Sequence, residues 1–377
     1  MARAKTADTP VAIVGAGVVG AAVAFALARR GVVAVVLEAE PEPGLAASGT
    51  NSGILHTGFD SAPGDLETRL IRRSAELRDA VLDELGVPVL RCGAVLAPAG
   101  DGDRETVAAI AGTAARNGVE ARLDSEGRLE VPGESVTDPV AYTLGLAAAA
   151  EVRADSRLES IERRDGLLYL GLADGGHVAA HVAVNCAGLH ADEVARLAGD
   201  ESFEIYPRKG EFFVFDPPGG RPLDRILLPV PTKRTKGVLV FPTIDGKVVA
   251  GPTAHDGEDK ADWSVRPEAW DEVLSKARTM LPALEGEEPV AAYAGLRPAG
   301  RGVNYLIGPS QVCPGLVNVA AIRSTGLSAS LGIAEHVLGL VGAQGVELGP
   351  DRAVHEAGVR TEGPWWLRTA RHRGEAE

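Results

Sequence analysis

Residues 11–38 read VAIVGAGVVGAAVAFALARRGVVAVVLE. The apolar run from Val11 to Val14 has the length of a buried strand. GAGVVG follows at 15–20, then an Ala-rich helical stretch that runs to Arg30 and stops at Gly31. Val32 to Leu37 forms a second apolar strand, and Glu38 stands at its end. This order predicts a strand–helix–strand unit of the dinucleotide-binding kind. Gly15 permits the tight turn, Gly17 lets a pyrophosphate approach the backbone, and Gly20 lets helix and strand pack closely. Val18 and Val19 open the helix, where free N–H groups meet the phosphates. Glu38 accepts hydrogen bonds from a ribose 2′-OH and repels a 2′-phosphate, which argues against NADP.

Working outward, the 377 residues are enough for two or three compact units. Hydrophobic residues make up 45% and charged residues 24%, an ordinary globular balance. The net charge of −14 disfavours nucleic acid and acidic membrane surfaces as main partners. An anionic substrate therefore needs a local basic site. Cys92, Cys186 and Cys313 lie far apart, and no Cys/His cluster has metal-ligand spacing, so no metal is expected. An odd cysteine count without pairs fits a reducing cytoplasm. The N-terminal MARAKTADTP lacks the apolar core of a signal peptide, and no segment reads as a membrane span.

Apolar spacing predicts a helix over 65–86. Gly118 ends another expected over 103–117, a cap followed by Pro opens one over 137–150, and helices are expected over 266–280 and 326–341. Strands are expected at 89–98, 157–164, 167–172, 177–185, 293–298, 305–307 and 317–321, with strand-like, Pro- and Gly-broken text over 203–250. The tail from 349 is charged and is expected to be loosely ordered. The nucleotide fingerprint comes first, β-rich text fills the middle, and a second Gly-led helix comes late. That order predicts a mixed α/β fold: a discontinuous Rossmann-like domain with a mostly antiparallel sheet inserted into it. The expected division is 1–86, 138–203 and 303–345 for the nucleotide, 87–137 and 204–302 for the substrate, and 346–377 as a tail.

Five separated motifs resemble the FAD-dependent oxidoreductases of the D-amino-acid oxidase and glycine oxidase superfamily. They are GAGVVG…LE at 15–38, NSGILHTGFDSAPG at 51–64, VNCAG at 184–188, YPRKGEFF at 206–213, and GLRPA at 295–299 with IRSTGLSASLGIAE at 322–335. Within that superfamily the chain is most similar to L-2-hydroxyglutarate oxidases and flavin glycerol-3-phosphate dehydrogenases. The resemblance implies FAD as cofactor. It places Ser48, Thr50, Asn51, Ser52 and Gly53 around the pyrophosphate or flavin, with Ala187 and Gly188 at a second nucleotide-side turn and Val152 beside them. It sets Thr325, Gly326, Leu327 and Ser328 at the flavin pyrimidine, where a helix N-terminus meets charge that develops on reduction.

For the chemistry, the resemblance implies that the loop carrying His56 crosses one face of the flavin. Three readings of His56 stand: a base that takes a hydroxyl proton, a residue that only packs near the ring, and a covalent flavin anchor. Arg297 and Arg323 are the anion-binding candidates, because a guanidinium holds a carboxylate through two parallel bonds. Lys209 is expected to add charge at the same mouth. The implied function is oxidation of a CH–OH group on a small anionic 2-hydroxy acid resembling L-2-hydroxyglutarate. Amine or amino-acid oxidation and glycerol-3-phosphate oxidation are the alternatives. Oxygen, a quinone or a small carrier is the expected electron acceptor.

Overall fold

The computed structural model describes residues 8–231, 237–354 and 361–376. Most of the N-terminal stretch read for a signal peptide therefore lies outside the described residues, as do short pieces of the 203–250 region and of the tail. Strand β1 (Thr9–Val14), helix α1 (Val18–Arg29) and strand β2 (Ala34–Leu37) form the expected unit, and β1 and β2 pair in parallel. On its other side β1 pairs in parallel with His177–Asn185, which in turn runs parallel to Leu316–Ala320. Glu151–Arg153, not foreseen as a strand, extends the sheet beyond β2. Leu158–Arg164 and Leu167–Leu172 continue it as an antiparallel meander.

Central parallel strands are covered on both faces and so read as unbroken apolar runs. In β1 alternate residues serve two cores. Val11 and Ile13 pack with α1, Pro139–Ala147, Leu66–Leu85 and Gly326–Ala343, while Ala12 and Val14 pack with Leu168 and Leu170 of the meander. Among the described residues, Gly326–Ala343 is the helix long and apolar enough to cross a membrane. It lies against α1 and Leu66–Leu85 in this core.

A second sheet is nearly all antiparallel. Its spine is Ile205–Phe215 paired with Ala291–Gly300, in register from Ile205 opposite Gly300 to Val214 opposite Ala291. Val248–Gly251, Leu239–Pro242, Ile226–Leu228, Ala94–Leu96, Leu129–Val131 and Arg122–Leu123 follow in order. The helix Pro267–Met280 covers one face of this sheet through Phe213, Phe215, Val273 and Leu274. The strand expected over 89–98 is two strands broken at Gly93. Val89–Leu90 joins a small third sheet with Ser135–Thr137 and Ile54–Leu55, and Ala94–Leu96 joins the second sheet.

The tail corrects the expectation of loose order. Trp365–Arg373 is a helix, and Gly374–Ala376 pairs with the spine at Ala291–Tyr293. Trp365 and Trp366 are buried on the face of the second sheet that holds Phe212 and Tyr293. Two indole rings, each burying about 150–250 Å², order a short segment despite its charged text.

Candidate active site

A cavity of about 620 Å³ opens beyond the carboxyl ends of β1, β2, His177–Asn185 and Leu316–Ala320. In open parallel sheets this is where ligands bind. Gly15, Gly17, Val18, Val19, Glu38, Ser48, Asn51, Ala187, Gly188, Arg323, Gly326 and Leu327 all line it. Gly15 has φ +99°, and a Cβ there would lie 2.6 Å from the Cys186 carbonyl oxygen. A Cβ on Gly20 would lie 2.0 Å from the Gly15 carbonyl oxygen, so any side chain would force the turn and the helix apart.

Helix α1 begins at Gly17, which offers no side-chain cap. Its Val18 N–H donates to Ser48 Oγ at 2.9 Å, which fastens the 48–53 loop over the helix end. Glu38 is fixed from both sides. Oε2 accepts from Ala16 N–H at 2.6 Å and Oε1 from Glu40 N–H at 2.9 Å. Burial raises its pKa above the ordinary carboxylate value, and these donors pull the other way. At the far end of the cavity, Gly326–Ala343 likewise starts without a side-chain cap, at Thr325. The Thr325 hydroxyl instead donates to Glu67 at 2.7 Å. Arg323, with φ +54°, is about half exposed and lies 3.9 Å from the same carboxylate.

Not every expected cofactor residue faces this cavity. Thr50 is buried behind Gly295, Gly53 packs on Thr137, and Ser52 donates its hydroxyl to Asn51. Val152 lies in the edge strand, and the following residues Ser156, Arg157 and Leu158 line the cavity in its place. Ser328 points to the 54–56 segment, where its Oγ accepts the His56 N–H at 2.8 Å.

His56 Nδ1 lies 2.7 Å from Glu134 Oε2. Glu134 is fully buried, and its Oε1 accepts from the Thr57 N–H at 2.6 Å and the Thr57 hydroxyl at 2.8 Å. Arg78, also buried, donates to the carbonyls of Leu55, His56 and Gly133 at 2.7–3.0 Å. Burial lowers the Arg78 pKa and the Glu134 charge raises it again.

Tyr293, Gly295 and Arg297 share one face of the spine. The Tyr293 hydroxyl donates to the Asn51 carbonyl, and Gly295 abuts Thr50, so this face looks onto the loop that leads into His56. Arg297 donates to the Thr253 carbonyl at 2.6 Å. Among the described residues no carboxylate pairs with it, whereas its neighbour Arg208 is held by Asp256 at 2.7 Å. Burial, with Arg208 adding to it, pushes the Arg297 pKa down to about 10, so it stays charged at neutral pH. Lys209 corrects its expectation. One residue along from Arg208 it faces the opposite side of the sheet, buried, with Nζ 2.7 Å from Asp262 and 2.9 Å from the Ser264 carbonyl. That cation is already neutralised and is not at the Arg297 mouth.

A family model for FAD dependent oxidoreductases matches residues 10–340. The chain belongs to that family. It is 28% identical over 352 residues to the glycerol 3-phosphate dehydrogenase of Caloramator mitchellensis, covering 88% of this chain and 73% of that protein. It is 25% identical over 280 residues to the L-2-hydroxyglutarate dehydrogenase of Escherichia coli K12, covering 67% and 66%. In fold it is similar to the FAD-bound L-alpha-glycerophosphate oxidase of Mycoplasma pneumoniae, with a TM-score of 0.86, 23% identity, and 94% and 99% of the two chains covered. The glycine oxidase of Geobacillus kaustophilus gives a TM-score of 0.78 at 22% identity, with 95% and 100% covered.

This FAD-dependent oxidoreductase thus has a cavity that suits its cofactor. The uncapped helix end at Gly17 would hold a pyrophosphate and the fixed Glu38 carboxylate a ribose, with a second uncapped helix end, at Thr325, on the far side. Two groups of site residues were not foreseen. Glu134 and Arg78 carried no motif; Glu134 meets His56 through strand pairing, and Arg78 reaches it from the helix Leu66–Leu85. Trp263 and Arg373 also line the cavity, with the Arg373 guanidinium over the Trp263 ring at 4.5 Å. Arg373 comes from the tail helix that was expected to be loose.

Proposed function

We propose that this enzyme oxidises the CH–OH group of a small anionic alcohol, with glycerol 3-phosphate ahead of an L-2-hydroxy acid such as L-2-hydroxyglutarate. The observation that carries the reading is Arg297: a partly buried, charged guanidinium with no carboxylate partner among the described residues, on the sheet face that looks onto the His56 loop. A partly desolvated cation of this kind favours an anion that supplies the missing charge and hydrogen bonds. His56 supports an alcohol over an amine, because a hydroxyl must give up its proton as the carbonyl forms. Bound FAD supplies the two-electron acceptor. The chain's own groups hold the anion at Arg297, with Arg323 at the cavity wall, and receive the proton at His56. The relatives named above, acting on glycerol 3-phosphate and on L-2-hydroxyglutarate, support these two substrate classes. The first has the higher identity over more of the chain.

Anaerobic mixing of the flavoprotein with a panel of substrates tests this. Glycerol 3-phosphate is expected to bleach the oxidised-flavin band fastest. Bleaching by L-2-hydroxyglutarate alone makes the bound anion a carboxylate. Bleaching by glycine or other amines alone overturns the proposal.

A further inference from the structure

His56 follows the strand Ile54–Leu55, and Glu134 precedes the strand Ser135–Thr137. Ile54 lies opposite Val136 and Leu55 opposite Ser135, so the antiparallel register runs on to set His56 against Glu134. Glu134 Oε2 meets His56 Nδ1, and Oε1 takes both Thr57 donors. An ionised carboxylate is acceptor-only, and here every neighbour of its oxygens is able to donate. The partner atom Nδ1 therefore carries the proton, and in a neutral imidazole the lone pair then sits on Nε2. Arg78 ties the two strands together through the carbonyls of Leu55, His56 and Gly133, and its charge offsets that of the buried carboxylate.

We propose that Glu134, braced by Thr57 and Arg78, is a positioning residue that fixes His56 as the Nδ1–H tautomer, so that Nε2 accepts the substrate hydroxyl proton. This rests on the reading of His56 as the base. In the step, the O–H proton passes to Nε2, the C–H hydrogen leaves with its electron pair to the bound FAD, and the C=O bond forms. The resulting imidazolium keeps its Nδ1–H on Glu134, whose negative charge stabilises it.

The test is ¹⁵N NMR of the histidine-labelled FAD holoenzyme at mildly alkaline pH, with the His56 signal identified by its loss in His56→Gln. Wild type is expected to show the Nδ1–H tautomer. In Glu134→Gln the amide oxygen still accepts from Thr57 while its NH₂ faces Nδ1, so the proton is expected to move to Nε2. Flavin reduction should fall about 100-fold or more with substrate Kd unchanged, and Glu134→Asp should restore part of the rate. A merely structural Glu134 would lower FAD occupancy or Tm and leave the tautomer alone. An Nε2–H tautomer in wild type overturns the inference. So does an unchanged tautomer in Glu134→Gln, or a switched tautomer with undiminished reduction. The wild-type reading needs no substrate and no Glu134 variant, so it judges the tautomer even if the substrate panel overturns the proposed activity.

Discussion

In the cofactor crevice, Ala16 N–H reaches Glu38 across 22 positions of sequence and Val18 N–H reaches Ser48 across 30. At the reaction end, the His56 ring reaches Glu134 across 78 positions, and the His56 N–H reaches Ser328 across 272. In the first set side-chain acceptors meet backbone donors beside a helix end, and the fold supplies those donors whatever side chains stand there. The second depends on the His56 and Glu134 side chains themselves, with Ser328 from a third element fastening the His56 backbone. The crevice should therefore tolerate side-chain loss, and the reaction end should not.

The largest departure from tolerance is expected at His56. His56→Gln should retain FAD and slow flavin reduction by about 10²–10⁴-fold, the usual range for losing a general base. Stopped-flow bleaching reads the rate. Flavin that stays with acid-precipitated wild type but not with the variant would make His56 a covalent anchor instead. Next is Arg297→Ala, which should cost substrate binding about 2–5 kcal/mol, the range for removing one partner of a buried charged contact. FAD affinity, measured by flavin fluorescence, should hardly move. In the crevice, Ser48→Ala removes one cap-like acceptor and should cost about 1 kcal/mol, seen as a modest rise in FAD Kd with reduction rate intact. A hundredfold loss of FAD there would break the comparison.

The smallest effect concerns Lys209. Its pairing pulls the Asp262 carboxyl down to about 2. A carboxyl depressed on folding stabilises the native state above its unfolded pKa of about 3.9, and that stabilisation disappears as pH falls toward 2. Lys209→Met should therefore lower stability at pH 7 by an amount small for a half-exposed partner, about 1 kcal/mol or less, read as a drop in Tm. The gap to wild type should close on acidification between those two values, and substrate KM should stay the same. A raised KM would return Lys209 to the substrate mouth.

Much of this was legible in the chain. Local text located α1 and the helix Gly326–Ala343 as continuous apolar runs, and local period located the helix Leu66–Leu85, which buries one face. Gly15 and Glu38 stood out because turn and strand-end chemistry is written in adjacent residues. The Lys209 error has a period-2 cause. Arg208 and Arg297 are directly opposite across the spine, so Lys209, one step on, faces away. Glu134 was not legible, since its meaning depends on register with a strand some eighty residues earlier. The tail helix was hidden for the same reason, as Trp365 and Trp366 pack on a sheet distant in sequence.

The account turns on an anion held at Arg297 while a neighbouring CH–OH is oxidised. Glycerol 3-phosphate and uncharged glycerol, each mixed anaerobically with wild type and with Arg297→Ala, test this most directly. Wild type should be reduced far more efficiently by the phosphate ester, and Arg297→Ala should lose most of that preference while reacting with glycerol about as wild type does. An undiminished preference in Arg297→Ala, with FAD fully bound, would contradict it.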